Sequence, residues 1–235
     1  MPAGRKPPPY TYVCFVRHGT TPTTGKVMPG RASGLHLSDE GRDEARDVAE
    51  RLAALGTVRA VYSSPMERTR ETAEEIGSRI GLAPTLEEAL LDCDTGDWTG
   101  MSLAALRKLP EWRLVSQNPS GFRFPNGESF RELENRIGEA IERLTEKHIG
   151  EVIVAVSHAD PIKVAVARAL GSPFDLFDRA AIRPASTTVI AYGPGAPNVL
   201  CVNTFGSLGK VGVPSLDALA RAHAEQRSSA RPKTR

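Results

Sequence analysis

Three segments with the composition of β-strands end in polar residues where the chain turns. They end at residues 17–19 (Arg-His-Gly), 63–65 (Ser-Ser-Pro) and 157–158 (Ser-His), and Arg68 follows within the helix predicted after the second segment. Ligands of open α/β sheets bind outside the carboxyl ends of the strands, so we expect these residues to converge on one site. Two histidines and two arginines at one site are suited to binding and transferring a phosphoryl group.

The arginine, histidine and glycine residues each suit a phosphoryl-binding site for a physical reason. Arg17 and Arg68 offer permanently charged, bidentate donors to phosphate oxygens. A neutral His18 can attack phosphorus through one ring nitrogen if a backbone carbonyl holds the N–H of the other nitrogen. Gly19 would let the backbone approach the ligand closely. Taken singly, a histidine is more often structural, and a helix-entry arginine is usually a solvated charge.

Strands alternating with helices must position these residues. Apolar and β-branched runs predict strands over residues 11–16, 58–63 and 151–156, and the last is apolar enough to be buried on both faces. Capping residues and helical periodicity predict helices over residues 38–55, 65–80, 128–149 and 161–170. This order predicts an α/β fold, a three-layer α/β/α sandwich with a mostly parallel central sheet.

The remaining segments complete the predicted organisation. Residues 84–91 contain a short strand or a loop, and residues 187–192 and 199–202 form an edge hairpin joined across 193–195. We expect one domain over residues 10–205, a disordered tail over 1–9 and a C-terminal extension over 206–235 whose last part is basic and disordered.

Composition excludes several classes of protein. The 235 residues are 40% apolar and 25% charged, a balance typical of a globular chain with a sizeable core. The sequence has no apolar run of about 18 residues and no apolar segment near its polar start, so we expect neither a membrane span nor a secretory signal. Three scattered cysteines predict neither a disulfide framework nor a zinc site. We therefore expect a cytoplasmic protein without metal or cofactor.

The net charge of +2 indicates anionic partners only weakly, because its distribution is uneven. Residues 7–220 carry 23 basic and 27 acidic side chains, so the excess positive charge belongs to the two ends. We expect a small phosphomonoester as the partner rather than nucleic acid. The sequence does not determine the oligomeric state, and a homodimer is compatible with it.

Six motifs in this order resemble the histidine phosphatase superfamily, the phosphoglycerate-mutase-like group. They are Val-Arg-His-Gly at 16–19, Leu37-Ser38 with Gly41 and Ala45, Ser-Ser-Pro-Met-Glu-Arg at 63–68 with Thr72-Ala73, Gly-Asp-Trp-Thr-Gly at 96–100, Pro-Asn-Gly-Glu-Ser at 125–129, and Val-Ser-His at 156–158. The resemblance covers residues 12–204 and implies a phosphohistidine mechanism. In it, His18 is the nucleophile, and Arg17, Arg68 and His158 bind the phosphoryl oxygens. Water then hydrolyses phospho-His18.

The general acid is where the chain departs from the family pattern. The family usually places Glu four residues before the glycine of its Gly-x-Trp-x-Gly segment, and this chain has Asp92 there. We favour Asp92 as the acid that protonates the leaving alkoxide. Glu88 and Asp94 are neighbouring alternatives. Asp160 is a third, since one branch of the superfamily draws its acid from just after the second histidine; as a plain helix cap it would have no catalytic role.

A second departure is Thr24, where many members place Asn. Its hydroxyl either touches phosphate or belongs to an ordinary loop, and the sequence does not choose between the two.

The spacing of the site residues favours hydrolysis over mutase chemistry. Phosphoglycerate mutases of this family carry a long insertion between the acid and the second histidine, and here only 66 positions separate Asp92 from His158. The expected activity is therefore that of a histidine acid phosphatase-type phosphomonoesterase. The alternatives are a phosphomutase and a non-catalytic phosphate-binding or regulatory protein.

Residues 98–131 are predicted to cover the site. This segment is rich in aromatic residues and arginines. It is either a basic, aromatic lid for an anionic organic substrate or a small satellite core with solvated charges.

Overall fold

A six-stranded mixed sheet organises the chain in the computed structural model, which describes residues 10–214. The strands are β1 (Thr11–Arg17), β2 (Val58–Ser63), β3 (Thr85–Leu86), β4 (Val152–Ser157), β5 (Thr187–Tyr192) and β6 (Asn198–Thr204). Their order across the sheet is β3-β2-β4-β1-β5-β6. The first four in this order are parallel, and β5 and β6 are antiparallel to their neighbours.

Helices cover both faces of the sheet. They are α1 (Asp39–Ala53), α2 (Glu67–Ile80), α3 (Leu103–Leu106), α4 (Trp112–Gln117), α5 (Phe130–Lys147) and α6 (Ala159–Leu170). Side chains of α1 and α2 share one apolar core with one face of the sheet, and side chains of α5 and α6 share a second core with the other face. The predicted three-layer α/β/α architecture is confirmed. Among the described residues, no helix is long and apolar enough to cross a membrane.

The strand between β2 and β1 is the most deeply buried. All six residues of β4 are buried, as its near-continuous apolar sequence predicts for a strand covered on both faces. The expected edge hairpin is also present, since β6 pairs only with β5 among the described strands. The uncertain segment 84–91 forms a two-residue strand followed by a 3-10 turn.

Helix starts differ from prediction by one or two residues, for identifiable reasons. The Ser129 side chain accepts the Glu132 N–H, and the Glu132 side chain accepts the Ser129 N–H. Ser129 is therefore the N-cap, and α5 starts at Phe130, two residues later than predicted. Met66 has an extended backbone and caps α2, which places Pro65 outside the helix. Pro161 lies within the first turn of α6, where the missing N–H has no intrahelical role, so α6 begins two residues earlier than predicted.

Packing continues beyond residue 205. Leu208 and Val213 are buried and join the core on the α1–α2 side of the sheet. The tail predicted over residues 1–9 and the basic end of the chain lie outside the described residues.

Two glycines allow the loop after β1 to lie directly on α1. A Cβ atom on Gly41 would lie 2.0 Å from the carbonyl oxygen of Thr20, and one on Gly19 would lie 2.4 Å from the carbonyl oxygen of Gly41. Both distances are shorter than any real contact, and both neighbours are backbone atoms that cannot rotate away.

We therefore expect Gly41→Ala to lower the free energy of unfolding by about 1–3 kcal/mol, because the loop must move off α1. Thermal unfolding measures the change. Gly209→Ala is the matched control, since a Cβ there has no neighbour within 4 Å and its backbone φ is not positive. Equal melting temperatures for the two variants would contradict the packing argument.

Candidate active site

Parallel pairing of β1 with β4 brings the two histidines together. Arg17 pairs with Ser157 across these strands, and the His18 N–H donates to the Ser157 carbonyl oxygen at 3.0 Å. The two histidine rings meet edge to face with their centroids 5.3 Å apart, and both side chains are buried. The Ser64 N–H donates to Val156, which joins the end of β2 to the same place. The predicted convergence at the carboxyl edge is confirmed.

His18 is held in the tautomer that a nucleophile needs. Its Nδ1 lies 2.8 Å from the carbonyl oxygen of Gly19, and a carbonyl can only accept, so Nδ1 carries the proton. Nε2 therefore keeps its lone pair. Burial lowers the pKa of His18 well below its usual range, and the charges of Arg17 and Arg68 lower it further. The ring is neutral at neutral pH and able to attack phosphorus.

Two guanidinium groups flank the histidines. Arg68 is fully buried; its Nη2 donates to the Gly30 carbonyl oxygen at 2.9 Å and lies 3.4 Å from Asp92 Oδ2. Arg17 donates through Nη1 to the Ile182 carbonyl oxygen at 2.7 Å. Arg68 Nε and Nη1 and Arg17 Nε are buried without a hydrogen-bond partner among residues 10–214. Unsatisfied buried donors on permanent cations are suited to the oxygens of a phosphoryl group.

The second histidine faces both a serine and the candidate acid. The Ser64 hydroxyl lies 2.9 Å from His158 Nε2, and His158 Nδ1 lies 3.6 Å from Asp92 Oδ2. Nδ1 is buried with no hydrogen-bond partner in the described part of the chain. Burial and the nearby positive charge of Arg68 lower the pKa of His158. Ser64 was absent from the residues assigned by sequence, although its place at the end of β2 was a usable signal.

Of the four carboxyl groups considered for the acid, two line the cavity at the strand ends, Asp92 and Asp160. Burial raises the pKa of Asp92 to about 6, with Arg68 opposing the rise and Asp160 adding to it. Asp160 is paired with Lys163 at 3.2 Å. Glu88 is exposed away from the cavity, and Asp94 accepts the N–H of Gly96 at 3.0 Å within its own turn. The geometry favours Asp92, since a carboxyl with a raised pKa retains a proton to donate.

Three charged residues fix the backbone of Asp92. Arg31 Nε and Arg136 Nη2 donate to its carbonyl oxygen at 2.9 and 3.3 Å. Both arginines pair with Glu128, at 3.1 and 2.9 Å. Arg136 also donates to the carbonyl oxygens of Ala89 and Leu91. Sequence reasoning gave these residues no role, although Glu128 belongs to the Pro-Asn-Gly-Glu-Ser motif.

Gly19 and Thr24 have roles in the loop that follows β1. The Gly19 N–H donates to Thr72 Oγ1 at 3.1 Å, and its lack of a side chain accommodates Gly41. The structure thus attributes this glycine to packing on α1, where the sequence had suggested close approach to the ligand. Thr24 lines the cavity, and its Oγ1 accepts the Thr21 N–H at 2.9 Å, which shapes the loop.

The aromatic side chains of the segment 98–131 belong to the core on the α5–α6 side of the sheet, and its basic side chains form no lid. Trp98, Phe122, Phe124 and Phe130 are all buried and pack against one another. The basic residues of the segment are exposed and lie outside the cavity lining; they are Arg107, Lys108, Arg113, Arg123 and Arg131. Of the two alternatives drawn from the sequence, the structure therefore excludes the basic lid, because the aromatic side chains pack against one another and leave the charges in solvent. Leu103, Trp112 and Val115 of the same segment do line the cavity.

The cavity at the strand ends has a volume of about 300 Å³. His18, Arg17 and Asp92 lie in its wall. A second cavity of about 440 Å³ lies between α5 and α6 and contains none of the predicted site residues. No group of three metal-binding side chains occurs within residues 10–214.

Comparison with known families identifies the fold and its motifs. The model of the histidine phosphatase superfamily (branch 1) matches residues 13–204. The chain belongs to this superfamily. The resemblance drawn from the six motifs is confirmed.

Individual relatives of this superfamily carry different names. The chain is 31% identical to a probable phosphoglycerate mutase of Cronobacter sakazakii, over 89% of this chain and 99% of the relative. It is 30% identical to phosphoserine phosphatase 1 of Hydrogenobacter thermophilus, over 77% of this chain and 88% of the relative. The solved structure of Bacillus stearothermophilus YhfR matches with a TM-score of 0.75 and 26% identity, over 80% of this chain and 95% of that one. The chain spans 55% of the length of the Mycobacterium tuberculosis relatives that it matches.

If Asp92 is the general acid, the loss of kcat that follows its replacement must depend on the leaving group. We expect Asp92→Asn to reduce kcat for an alkyl phosphate by about 10²–10⁴-fold, and to reduce it much less for 4-nitrophenyl phosphate, whose leaving group needs little protonation. Asp160→Asn is the control. A leaving-group-dependent loss in Asp160→Asn, with none in Asp92→Asn, would assign the acid to Asp160.

The pKa of Asp92, raised to about 6, predicts an acid-shifted pH profile. As the pH rises through this value the acid loses its proton, so kcat/KM falls about tenfold per pH unit. His18 stays neutral well below pH 6.5, because its pKa is lowered. The second ionisation of the phosphate also lies near pH 6, so the profile of Asp92→Asn, measured on the same substrate, separates the two. The dianion forms as the pH rises, so ionisation of the substrate shapes the acid limb, and an Asp92→Asn profile that keeps the same fall above pH 6 would contradict the role of Asp92 as the acid.

Arg136 is expected to act on catalysis by positioning Asp92. Arg136→Lys loses the planar fork that holds the carbonyl groups of Ala89, Leu91 and Asp92, so kcat for an alkyl phosphate should fall about tenfold with KM nearly unchanged. The control is Arg143→Lys on the same helix, because Arg143 makes only a partly exposed pair with Glu87. Equal kinetics for the two variants would show that the Arg136 contacts do not position the acid.

Proposed function

We propose that this chain is a phosphomonoesterase that hydrolyses a small phosphorylated metabolite through a phosphohistidine intermediate on His18. One observation carries the proposal. His18 Nδ1 donates to the Gly19 carbonyl oxygen at 2.8 Å, which leaves Nε2 free near the buried Arg68 and the half-buried Arg17. A neutral nucleophile beside unsatisfied guanidinium donors is the arrangement that attack on a phosphate dianion requires.

In the first step, His18 Nε2 forms a bond to phosphorus as the bond to the substrate's ester oxygen breaks. Asp92 gives its proton to that oxygen, so the product leaves as a neutral alcohol and Asp92 becomes a carboxylate. Arg17, Arg68 and His158 donate hydrogen bonds to the three equatorial oxygens, where the transition-state charge is spread. The buried site strengthens these interactions, because little water competes for the donors.

In the second step, water attacks the phosphorus of phospho-His18. Asp92, now a carboxylate, takes the proton from that water, and the P–N bond breaks. His18 returns to its neutral form with Nδ1 still protonated, and inorganic phosphate leaves. The same carboxyl group therefore acts as acid and then as base, as microscopic reversibility requires for two related steps.

Hydrolysis is favoured over phosphoryl return to a second alcohol. The phosphatase name of one relative and the short distance in sequence between Asp92 and His158 both support this choice. The probable-mutase name of another relative keeps phosphoryl transfer as the alternative to be tested. The site is built from one chain, so the proposal does not depend on formation of a homodimer. Two buried free thiols, Cys14 and Cys93, are compatible with a reducing cytoplasm.

Phosphate release from a panel of phosphomonoesters tests the proposal. We expect His18→Ala to lose at least about 10³-fold of kcat, because no other group replaces the nucleophile. His36→Ala is the matched control, since His36 is exposed, lies outside the cavity lining and pairs with Glu71 at the surface. Rapid quenching followed by mass spectrometry should detect one phosphoryl group on the peptide that contains His18.

Three other outcomes would contradict the proposal. Equal release by His18→Ala and the unmodified chain would exclude the His18 mechanism. Transfer of the phosphoryl group to an added alcohol without net phosphate release would establish a mutase. Phosphate binding without any turnover would establish a non-catalytic phosphate-binding protein.

A further inference from the structure

The cavity has two chemically different ends. Its inner end holds His18, Arg17 and Asp92, and its outer end is mostly apolar. The outer side chains come from the loop after β1, from α3 and α4, and from the turn after α6; they are Val27, Met28, Leu35, Leu103, Trp112, Val115 and Phe177. If phosphate occupies the inner end, the organic part of the substrate lies against these apolar groups.

A rigid aromatic surface forms one wall of the outer end. Trp112 stacks on Trp98 with ring centroids 6.1 Å apart and planes 27° apart, and Trp98 is itself buried. Val115 lies three residues further along α4, on the same face as Trp112. None of the α4 residues is fully buried, so this apolar face is half-exposed at the cavity. A flat, water-exposed aromatic surface gains most from contact with another apolar group.

The opposite wall is fixed by backbone pairing. Val27 forms an isolated β-bridge with Ser102, and the Met28 N–H donates to the Met101 carbonyl oxygen at 2.9 Å. These bonds join the loop after β1 to the start of α3. The apolar wall is therefore preformed rather than dependent on a mobile loop.

The charge of the outer end opposes a second anionic group. Among residues 10–214, Lys163 is the cation of the cavity lining besides Arg17, and it is already paired with both Asp160 and Asp178. Two carboxylates around one ammonium give this group of three side chains a formal negative charge, and its Asp160 also raises the pKa of Asp92. The exposed arginines of residues 98–131 do not contribute to the cavity lining. Apart from the arginines assigned to the phosphate, a carboxylate on the substrate would meet like charge and no unpaired cation among the described lining residues.

We propose that the phosphate substrate of this site is an ester of a small, uncharged and largely apolar alcohol or phenol, in contrast to a phosphorylated carboxylic acid. The inference rests on the proposed phosphatase function and specifies its substrate class. The cavity volume of about 300 Å³ is at the lower limit of ordinary ligand pockets, and this favours a leaving group the size of one ring. Trp112 and Val115 are then specificity-determining residues.

Matched substrates test the substrate class. Benzyl phosphate and 4-carboxybenzyl phosphate share one ring and nearly the same leaving-group chemistry, and they differ in one remote charge. We expect kcat/KM for benzyl phosphate to exceed that for 4-carboxybenzyl phosphate, and that for 3-phosphoglycerate, by about tenfold or more. A preference for either carboxylate over benzyl phosphate would overturn the proposal.

Matched variants test the aromatic wall. Trp112→Ala should lower kcat/KM for benzyl phosphate about tenfold and leave that for methyl phosphate within about twofold, because methyl phosphate does not reach the outer end. Trp112→Phe should retain most of the activity and shows whether the fold tolerates substitution there. Leu114→Ala is the control, since Leu114 is exposed on the same helix and lies outside the cavity lining. Equal losses on both substrates in Trp112→Ala would overturn the role of the wall.

A binding measurement separates this inference from the proposed function. Calorimetric titration with benzylphosphonate and 4-carboxybenzylphosphonate, which cannot be hydrolysed, requires no turnover. Tighter binding of benzylphosphonate without any His18-dependent hydrolysis would reject the phosphatase function and retain the apolar ligand class. His18-dependent hydrolysis together with tighter binding of 4-carboxybenzylphosphonate would retain the phosphatase function and reject the apolar ligand class.

Discussion

The burial of two guanidinium groups beside two histidines is the constraint on which the site depends. Arg68 has no exposed surface, and the same desolvation that surrounds it lowers the pKa of His18 and raises that of Asp92. One physical condition therefore moves both pKa values in the direction that phosphoryl transfer needs, towards a neutral nucleophile and a carboxyl group that holds its proton to a higher pH. The unpaired guanidinium donors are costly inside a protein, and a phosphate dianion offsets that cost when it binds.

The rest of the fold maintains this arrangement. Parallel pairing of β1 with β4 and of β4 with β2 brings three strand ends to one edge, with backbone hydrogen bonds across their last residues. Gly41 lets the loop after β1 lie on α1, which fixes the approach of His18. Arg136 on α5 donates to the carbonyl oxygen of Asp92, and Glu128, in the turn before α5, pairs with Arg136. Both helical layers thus contribute to the position of reacting groups, and neither serves only to cover the sheet.

The predictions from sequence succeeded where local patterns decide the structure. The apolar run of β4, the capping Ser38 of α1 and the Gly81 that ends α2 specify elements through neighbours in the chain. They left two alternatives open for the segment 98–131, because composition shows that aromatic and basic residues are present but not which face outwards. They also gave no role to Ser64, since its contact with His158 joins residues 94 positions apart.

The sequence by itself determined the fold class, the superfamily and the identity of the two histidines and two arginines, because these depend on residue types at fixed local spacings. Only the tertiary structure distinguishes the four carboxyl groups, since it places Asp92 and Asp160 in the cavity wall and raises the pKa of Asp92 by burial. Only the tertiary structure showed that apolar side chains and the paired Asp160, Lys163 and Asp178 line the same cavity. Burial, ion pairing and cavity shape arise from long-range contacts, and these are fixed when the layers pack together.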